Sequence, residues 1–226
     1  MRLSYGLPKP SELQDYRPIT STKLFDIRGE VIADFAEQRR EPVSLSEIPD
    51  WIKQGIIAVE DKRFYRHWGI DIVRLFGVAF YNLKHLRVVQ GGSTITQQLA
   101  RNMFLTMAQT LELYLNQVNF GSGAYGVEAA AQTFFGRPVR DLTLVQCATI
   151  SALPASPGVY SPYEHADRCM RRRNLFLRKL AEIGRITRNE LVQALAEPVR
   201  VSPRKPRQNQ APYFVEEIRQ YLEATY

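Results

Sequence analysis

The stretch that most constrains the fold is an apolar helical segment that ends in two adjacent carboxylates. Residues 51–59 (WIKQGIIAV) carry apolar side chains at helical spacing, and Glu60 and Asp61 follow directly. Consecutive helical residues point about 100° apart, so Glu60 can face a cleft while Asp61 braces a neighbouring segment. The segment therefore predicts a core helix that presents one carboxylate to a candidate site.

Two interpretations of this carboxylate pair remain open on the local residues. A glutamate beside apolar residues such as Phe64 suits general acid–base chemistry. Alternatively, Glu60 and Asp61 form a solvated pair at a helix end that Lys62 and Arg63 balance, since structural ion pairs are common. Taken alone, these residues favour the solvated pair.

Composition limits the classes of function. The 226 residues allow one large domain or one domain with an appendage, and 45% hydrophobic residues supply a core. The net charge of +7 favours an anionic partner, such as nucleic acid, acidic lipid headgroups or a phosphorylated substrate. No stretch is apolar enough to span a bilayer and no signal peptide is visible, so any transmembrane anchor is expected outside this chain.

The first part of the chain predicts a tether, a hairpin and a second apolar helix. Residues 1–20 have a tether-like composition, and the alternating segments 23–27 and 31–35 predict a β-hairpin. A broad apolar helical pattern with basic flanks then covers residues 70–89. Such a helix either lies in the core or contacts the membrane interface, and the pattern alone favours the core.

A polar helix start follows the glycines at 91 and 92. Ser93 or Thr94 can cap this helix, whose first N–H groups can bind an anion. Its first two turns then carry Gln97, Gln98, Arg101 and Asn102. Either this is an ordinary polar helix start, or these hydrogen-bonding side chains bind a sugar-phosphate ligand, which suits them better.

Further helical patterns occupy the second half of the chain. Residues 127–135 and 143–153 predict short apolar helices, the second around the buried thiol expected at Cys147. The arginine-rich residues 163–183 show no nucleic-acid recognition motif, so a solvated or headgroup-facing helix is favoured over nucleic-acid binding. Thr187 begins a capping box that predicts the next helix.

These motifs resemble those of the peptidoglycan glycosyltransferases, which stand alone or form the N-terminal half of class A penicillin-binding proteins. The first two motifs are Glu60-Asp61-x-x-Phe64-Tyr65-x-His67-x-Gly69 and Gly92-Ser93-Thr94-Ile95-Thr96-Gln97-Gln98. Three more follow in the family's order: Glu112-Leu113-Tyr114-Leu115-Asn116, Phe120-Gly121-x-Gly123-x-x-Gly126-x-x-Ala129-Ala130, and Ala152-Leu153-Pro154-x-x-Pro157-x-x-Tyr160-x-Pro162. The matches extend over roughly residues 20–200.

The resemblance implies a mainly α fold, with a lysozyme-like helical lobe, a smaller membrane-associated lobe and a short N-terminal β-hairpin. It implies a tether at 1–20, a glycosyltransferase domain at 21–197, and a linker at 198–226 toward a transpeptidase domain that this chain lacks. Within that fold, the apolar residues 70–89 fit the membrane-associated lobe. The implied location is the extracytoplasmic face of the bacterial cell membrane.

The implied activity is polymerisation of lipid II into glycan strands during cell wall biogenesis, by inverting glycosyl transfer. Glu60 would act as general base on the acceptor hydroxyl, and undecaprenyl pyrophosphate would leave. The implied substrate-binding residues are Asp61, Phe64, Ser93, Thr94, Gln97, Gln98, Arg101 and Asn102. Implied partners are lipid II, the growing glycan strand, the membrane surface and moenomycin-type inhibitors, with no nucleic acid. No cofactor is required by the sequence; Mg²⁺ would suit a departing pyrophosphate, but no carboxylate cluster specifies a metal site.

The chain departs from the family between Thr106 and Leu113. The family has a much longer segment there, with a second essential glutamate in an Arg/Lys-Lys-x-x-Glu motif, and Glu112 is not a substitute for it. We expect a mobile loop that this sequence omits, since lids over active sites are commonly mobile. A genuine shortening would favour a non-catalytic membrane-associated scaffold, and a lysozyme-like lytic enzyme is the other alternative.

Overall fold

The computed structural model describes residues 23–29, 31–34, 39–67, 70–85, 94–96, 106–204 and 212–225. Its helices are α1 (Asp50–Glu60), α2 (Ile72–His85), α3 (Met107–Gln117), α4 (Val127–Phe135), α5 (Leu144–Ser151), α6 (Ala166–Glu182), α7 (Arg188–Ala196) and α8 (Pro212–Thr225). Its strands are β1 (Lys23–Phe25), β2 (Val31–Asp34), β3 (Arg39–Arg40), β4 (Asn119–Gly121) and β5 (Ala124–Tyr125). The predicted mainly α fold is confirmed.

The strands form two small sheets. Strands β1 and β2 pair antiparallel, which confirms the predicted hairpin, and Gly29 turns the chain between them with φ 81°. In the second sheet, β5 lies between β3 and β4, parallel to β3 and antiparallel to β4. This sheet joins the segment before α1 to the turn after α3.

Helix α6 lies at the centre of the helical body. It packs against α5, α1 and α7. Gly55 of α1 allows this close packing, because a Cβ there would lie 3.3 Å from the ring of Phe176. Helix α1 turns Ile52 and Ile56 into the same core, where both are fully buried.

The expectation of a solvated or headgroup-facing helix at 163–183 is wrong for one face of α6. That face is a buried stripe at helical spacing, made of Cys169, Arg173, Phe176, Leu177 and Leu180. Only the opposite face keeps the expected exposure, with Arg168, Arg171 and Arg178. The apolar stripe, rather than the arginine content, decides where this helix lies.

Capping side chains set several helix ends. The predicted bounds of α4 are confirmed, and Gly136 ends that helix in the left-handed conformation with φ 65°. The predicted capping box at Thr187 is also confirmed, because its Oγ1 accepts the Glu190 N–H at 3.2 Å. Thr106 and Thr143 begin α3 and α5 in the same way, with glutamines as partners.

Helix α2 is apolar but exposed. Val73 is 62% exposed and Phe76 is 74% exposed, and Ile72 and Leu75 are also exposed. The core position that the pattern alone favoured is therefore wrong for these side chains. No helix in the described ranges has both the length and the apolar character needed to cross a membrane.

The chain after α7 continues along the helical body. Val199 and Val201 pack against the core, and the Ser202 N–H donates to the Phe134 carbonyl at 2.7 Å. Residues 198–204 therefore extend the body before α8. The domain boundaries stay predictions, and the tether at 1–20 lies outside the described residues.

Candidate active site

Glu60 and Asp61 point in different directions at the end of α1, as predicted. Glu60 is the last helical residue, and its side chain is 16% exposed. Its Oε1 accepts a hydrogen bond from Arg172 Nη2 of α6 at 2.9 Å. Glu60 therefore lies at the rim of the helical core, with a guanidinium as its neighbour.

Asp61 braces the surrounding segments from a fully buried position. Its Oδ1 lies 2.9 Å from His67 Nε2, and its Oδ2 accepts the Ile95 N–H at 3.1 Å. One carboxylate thus joins the end of α1 to the turn at 64–67 and to the polar segment at 94–96. This network fixes the backbone from which Glu60 projects.

Arg172 is the functional candidate that the sequence interpretation missed. Its guanidinium carbon lies 5.4 Å from the ring centroid of Tyr160 and 5.8 Å from that of Phe176. Phe176 is one turn further along α6, in the core. The i, i+4 spacing from Arg172 to this apolar residue was the available signal, because it places Arg172 beside the buried face.

Tyr114 of α3 adds a phenol to the same site. Burial raises the pKa of Tyr114 well above its usual range, and the charge of Glu60 raises it further. The phenol is therefore neutral at ordinary pH and lies near the carboxylate. The motif that contains Tyr114 accordingly contributes to the site.

The other predicted substrate-binding residues are either buried or undescribed. Phe64 and Thr94 are fully buried, and the Phe64 ring packs against Tyr65 at a centroid distance of 5.0 Å. The remaining predictions, Ser93, Gln97, Gln98, Arg101 and Asn102, lie outside the described residues. Substrate contact by all of these residues, and by Asp61, stays a prediction.

Glu112 holds the segment before α1 in place. Its Oε2 accepts the Leu45 N–H at 2.7 Å. One turn further along α3, Asn116 bonds both the N–H and the carbonyl of Val43, at 2.9 and 2.8 Å. These contacts give Glu112 a structural role, in agreement with the expectation that it does not replace a second catalytic glutamate.

The sequence interpretation found no carboxylate cluster that specifies a metal site. Within the ranges that the structure describes, no three His, Cys, Asp or Glu side chains are grouped closely enough to hold a metal ion. The carboxylate of Asp61 already accepts hydrogen bonds from protein groups.

Comparisons with known proteins agree with this arrangement. A family model described as Transglycosylase matches residues 28–112 and 106–181. Penicillin-binding protein 1A of Aquifex aeolicus is 38% identical over 240 residues, which cover 96% of this chain and 33% of that protein. Penicillin-binding protein 1F of Bacillus subtilis is 37% identical over 217 residues, covering 86% of this chain and 30% of that protein. This chain thus spans about a third of these relatives.

A solved structure is also similar. The crystal structure of penicillin-binding protein 1A from Haemophilus influenzae matches with a TM-score of 0.62 and 27% identity. The match covers 93% of this chain and 25% of that chain. The predicted resemblance to the glycosyltransferase domain of class A penicillin-binding proteins is therefore confirmed.

The comparisons also locate the shortened stretch. The Aquifex alignment covers 240 residues, more than the 226 of this chain, so it requires gaps in this chain. The two segments of the family match meet at residues 106–112. In the structure, residues 106–117 run without a break as a capped helix. The expectation of an omitted loop stays a prediction.

Proposed function

We propose, because the chain belongs to the transglycosylase family, that it is the peptidoglycan glycosyltransferase domain of a class A penicillin-binding protein. Its substrates are lipid II and a growing glycan strand on undecaprenyl pyrophosphate. The observation that carries this proposal is the Glu60 carboxylate, which is held at the rim of the core by Arg172.

Glu60 acts as the general base. It takes the proton from the sugar hydroxyl of the acceptor as that oxygen attacks the anomeric carbon of the donor strand. The bond from this carbon to the lipid pyrophosphate breaks, and its electron pair leaves with the pyrophosphate. Attack opposite the leaving group inverts the anomeric centre. The buried Asp61–His67 pair supports this step by fixing the end of α1.

The exposed apolar face of helix α2 supports a site at the membrane, where both lipid-linked substrates would be anchored. Its exposed apolar side chains include Ile72, Val73, Leu75 and Phe76. Moving apolar surface out of water contributes about 25 cal/mol per Å², so this face favours insertion among lipids. The protein then works at the extracytoplasmic face of the bacterial cell membrane and is open to moenomycin-type inhibitors.

A genuine shortening between Thr106 and Leu113 would favour a second candidate, a membrane-associated scaffold without catalysis. A pyrophosphate needs little assistance to leave when cations or N–H groups meet its charge, so loss of one acidic group need not abolish transfer. Arg101 is the candidate cation. We therefore place the polymerase first.

Polymerisation of labelled lipid II by the purified chain tests the proposal. We expect glycan polymer from the wild type, no polymer with moenomycin, and no polymer from Glu60→Gln. Glu197→Gln is the matched control, because this exposed glutamate follows α7, whereas Glu60 ends α1. Cleavage of finished peptidoglycan without polymerisation would instead identify a lytic enzyme. Membrane binding with neither reaction would identify a scaffold.

A further inference from the structure

Arg172 contacts Glu60 in a setting that restrains both groups. Its side chain is 21% exposed, and Nη2 lies 2.9 Å from Glu60 Oε1. Ion pairs that are partly removed from water are screened less than surface pairs. The two residues are 112 positions apart, so their contact exists only because α1 packs on α6.

Two aromatic rings hold the guanidinium. The ring centroids of Tyr160 and Phe176 lie 5.4 and 5.8 Å from its central carbon. Phe176 is fully buried in the core, so it provides a rigid support on the same helix. A planar guanidinium packs on aromatic rings and is pre-organised for hydrogen bonding, which a flexible lysine is not.

The Nε atom of Arg172 is buried and has no hydrogen-bond partner within the described part of the chain. Buried donors almost always have an acceptor in native proteins, and exceptions call for an explanation. In Arg172, Nη2 donates to the Glu60 carboxylate, whereas Nε has no acceptor among the described residues. An ion pair that served stability alone would gain by satisfying both donors.

The neighbouring arginines differ from Arg172. Arg173 is fully buried and donates to Asn174 Oδ1 and to the Glu197 carbonyl, so it secures α6 to the end of α7. Arg171 is exposed. Among these three consecutive arginines, only Arg172 donates to the candidate base.

We propose that Arg172 is a positioning residue, which orients the Glu60 carboxylate so that it can take the proton of the attacking hydroxyl. This inference rests on the proposed glycosyltransferase function. Arg172 binds one carboxylate oxygen from the side of the helical core and so fixes the plane of the carboxylate relative to the acceptor. It acts through Glu60 and needs no contact with substrate.

Steady-state polymerisation kinetics of Arg172→Met and of its control Arg171→Met test this role. Arg172→Met should lower kcat by about 100-fold, since a displacement of about 1 Å in a reacting group has that effect. Its KM for lipid II should stay within about twofold of the wild type. Arg171→Met, which loses the same charge from the same helix, should match the wild type in both constants.

Chemical rescue separates positioning from a structural role. Added guanidinium ion should restore part of the kcat of Arg172→Ala, because it can occupy the space that the side chain vacates beside the two rings, and should leave Glu60→Gln inactive. The double variant Glu60→Gln/Arg172→Met should be no less active than Glu60→Gln, because Arg172 acts only through the Glu60 carboxylate. If Arg172→Met does not fold, Arg172→Lys is the variant to measure. It keeps the positive charge but lacks the planar guanidinium, so we expect a reduced kcat with an unchanged KM.

Unchanged kcat in Arg172→Met, or a loss found entirely in KM, would overturn the inference. If the wild type polymerises and Glu60→Gln does not, such a result leaves the proposed function standing. A wild type that does not polymerise contradicts the proposed function instead. In that case, a double-mutant cycle on thermal unfolding still measures the interaction between Glu60 and Arg172. If the effects of the two substitutions on stability simply add, the two side chains do not interact and the inference is refuted.

Discussion

A comparison of helices α6 and α2 shows that the composition of a helix does not determine how deeply it is buried. Helix α6 is rich in arginine, yet it lies at the centre of the helical body and buries Arg173 completely. Helix α2 is rich in apolar residues, yet it exposes Val73 and Phe76. Burial therefore depends on whether a helix has a narrow apolar stripe that fits a protein partner, and not on its overall hydrophobicity.

The two helices also serve the proposed site differently. Helix α6 provides Arg172 to the carboxylate of Glu60, and its buried face makes that placement rigid. Helix α2 provides an apolar surface that suits lipid rather than protein. On this account, changes in α6 should affect folding and chemistry, and changes in α2 should affect membrane contact.

The largest expected effect is on folding stability in α6. Phe176→Ala should lower the free energy of unfolding by about 3–5 kcal/mol, because it removes a fully buried ring from the core. Phe76→Ala on α2 should change it by less than about 0.5 kcal/mol, as expected for an exposed side chain. Urea denaturation in detergent measures both. Equal losses would show that α2 is packed against protein.

A smaller loss is expected from the buried arginine. Arg173→Met should lower the free energy of unfolding by about 1–3 kcal/mol, because it removes a fully buried guanidinium that donates to Asn174 Oδ1 and to the Glu197 carbonyl. Arg171→Met should be nearly neutral by the same denaturation measurement. If the two variants unfold alike, the arginines of α6 do not differ as the structure indicates.

Vesicle binding tests the role of α2. Val73→Ser and Phe76→Ser should each weaken partition into lipid vesicles by about tenfold, since burying such a side chain contributes about 1.5–3 kcal/mol. Val192→Ser, an exposed apolar residue of α7, is the matched control. Sedimentation with vesicles measures the three variants. Equal binding of the α2 variants and the control would remove the proposed membrane contact.

A further effect is a loss of stability at high pH that comes from the core. Burial raises the pKa of the Cys147 thiol from 9.0 to about 12 and that of Cys169 to about 11. The folded state therefore holds these protons more tightly, so this stabilisation is complete below pH 9 and is lost as the pH rises toward 12.

The expected slope is about 1 kcal/mol per pH unit for one thiol. Urea denaturation between pH 8 and pH 10.5 measures it. Cys147→Ala/Cys169→Ala should show a shallower slope over the same range. A slope that does not change in this variant would show that the thiols are solvated in the folded protein.

Much of the fold followed from local patterns. The apolar spacing of α1, the bounds of α4 and the capping box at Thr187 are properties of neighbouring residues, and the structure has them as predicted. The different directions of the Glu60 and Asp61 side chains followed from helical geometry in the same way.

The remaining features depend on contacts between distant parts of the chain. Arg172 meets Glu60 across 112 positions, and the spacing from Arg172 to Phe176 indicates only that Arg172 lies beside the buried face, not which residue it contacts. Likewise, helical periodicity cannot distinguish a helix that packs on protein from one whose apolar face is left exposed, as in α2. Local pattern identified the elements, and only tertiary packing identified their neighbours.

Lipid II polymerisation, measured both in detergent and from vesicles, tests the account most directly. Glu60→Gln should form no polymer in either medium, because the chemistry has lost its base. Val73→Ser/Phe76→Ser should polymerise like the wild type in detergent and lose most activity on vesicle-bound lipid II. Polymer from Glu60→Gln, or equal losses of the α2 variant in both media, would contradict it.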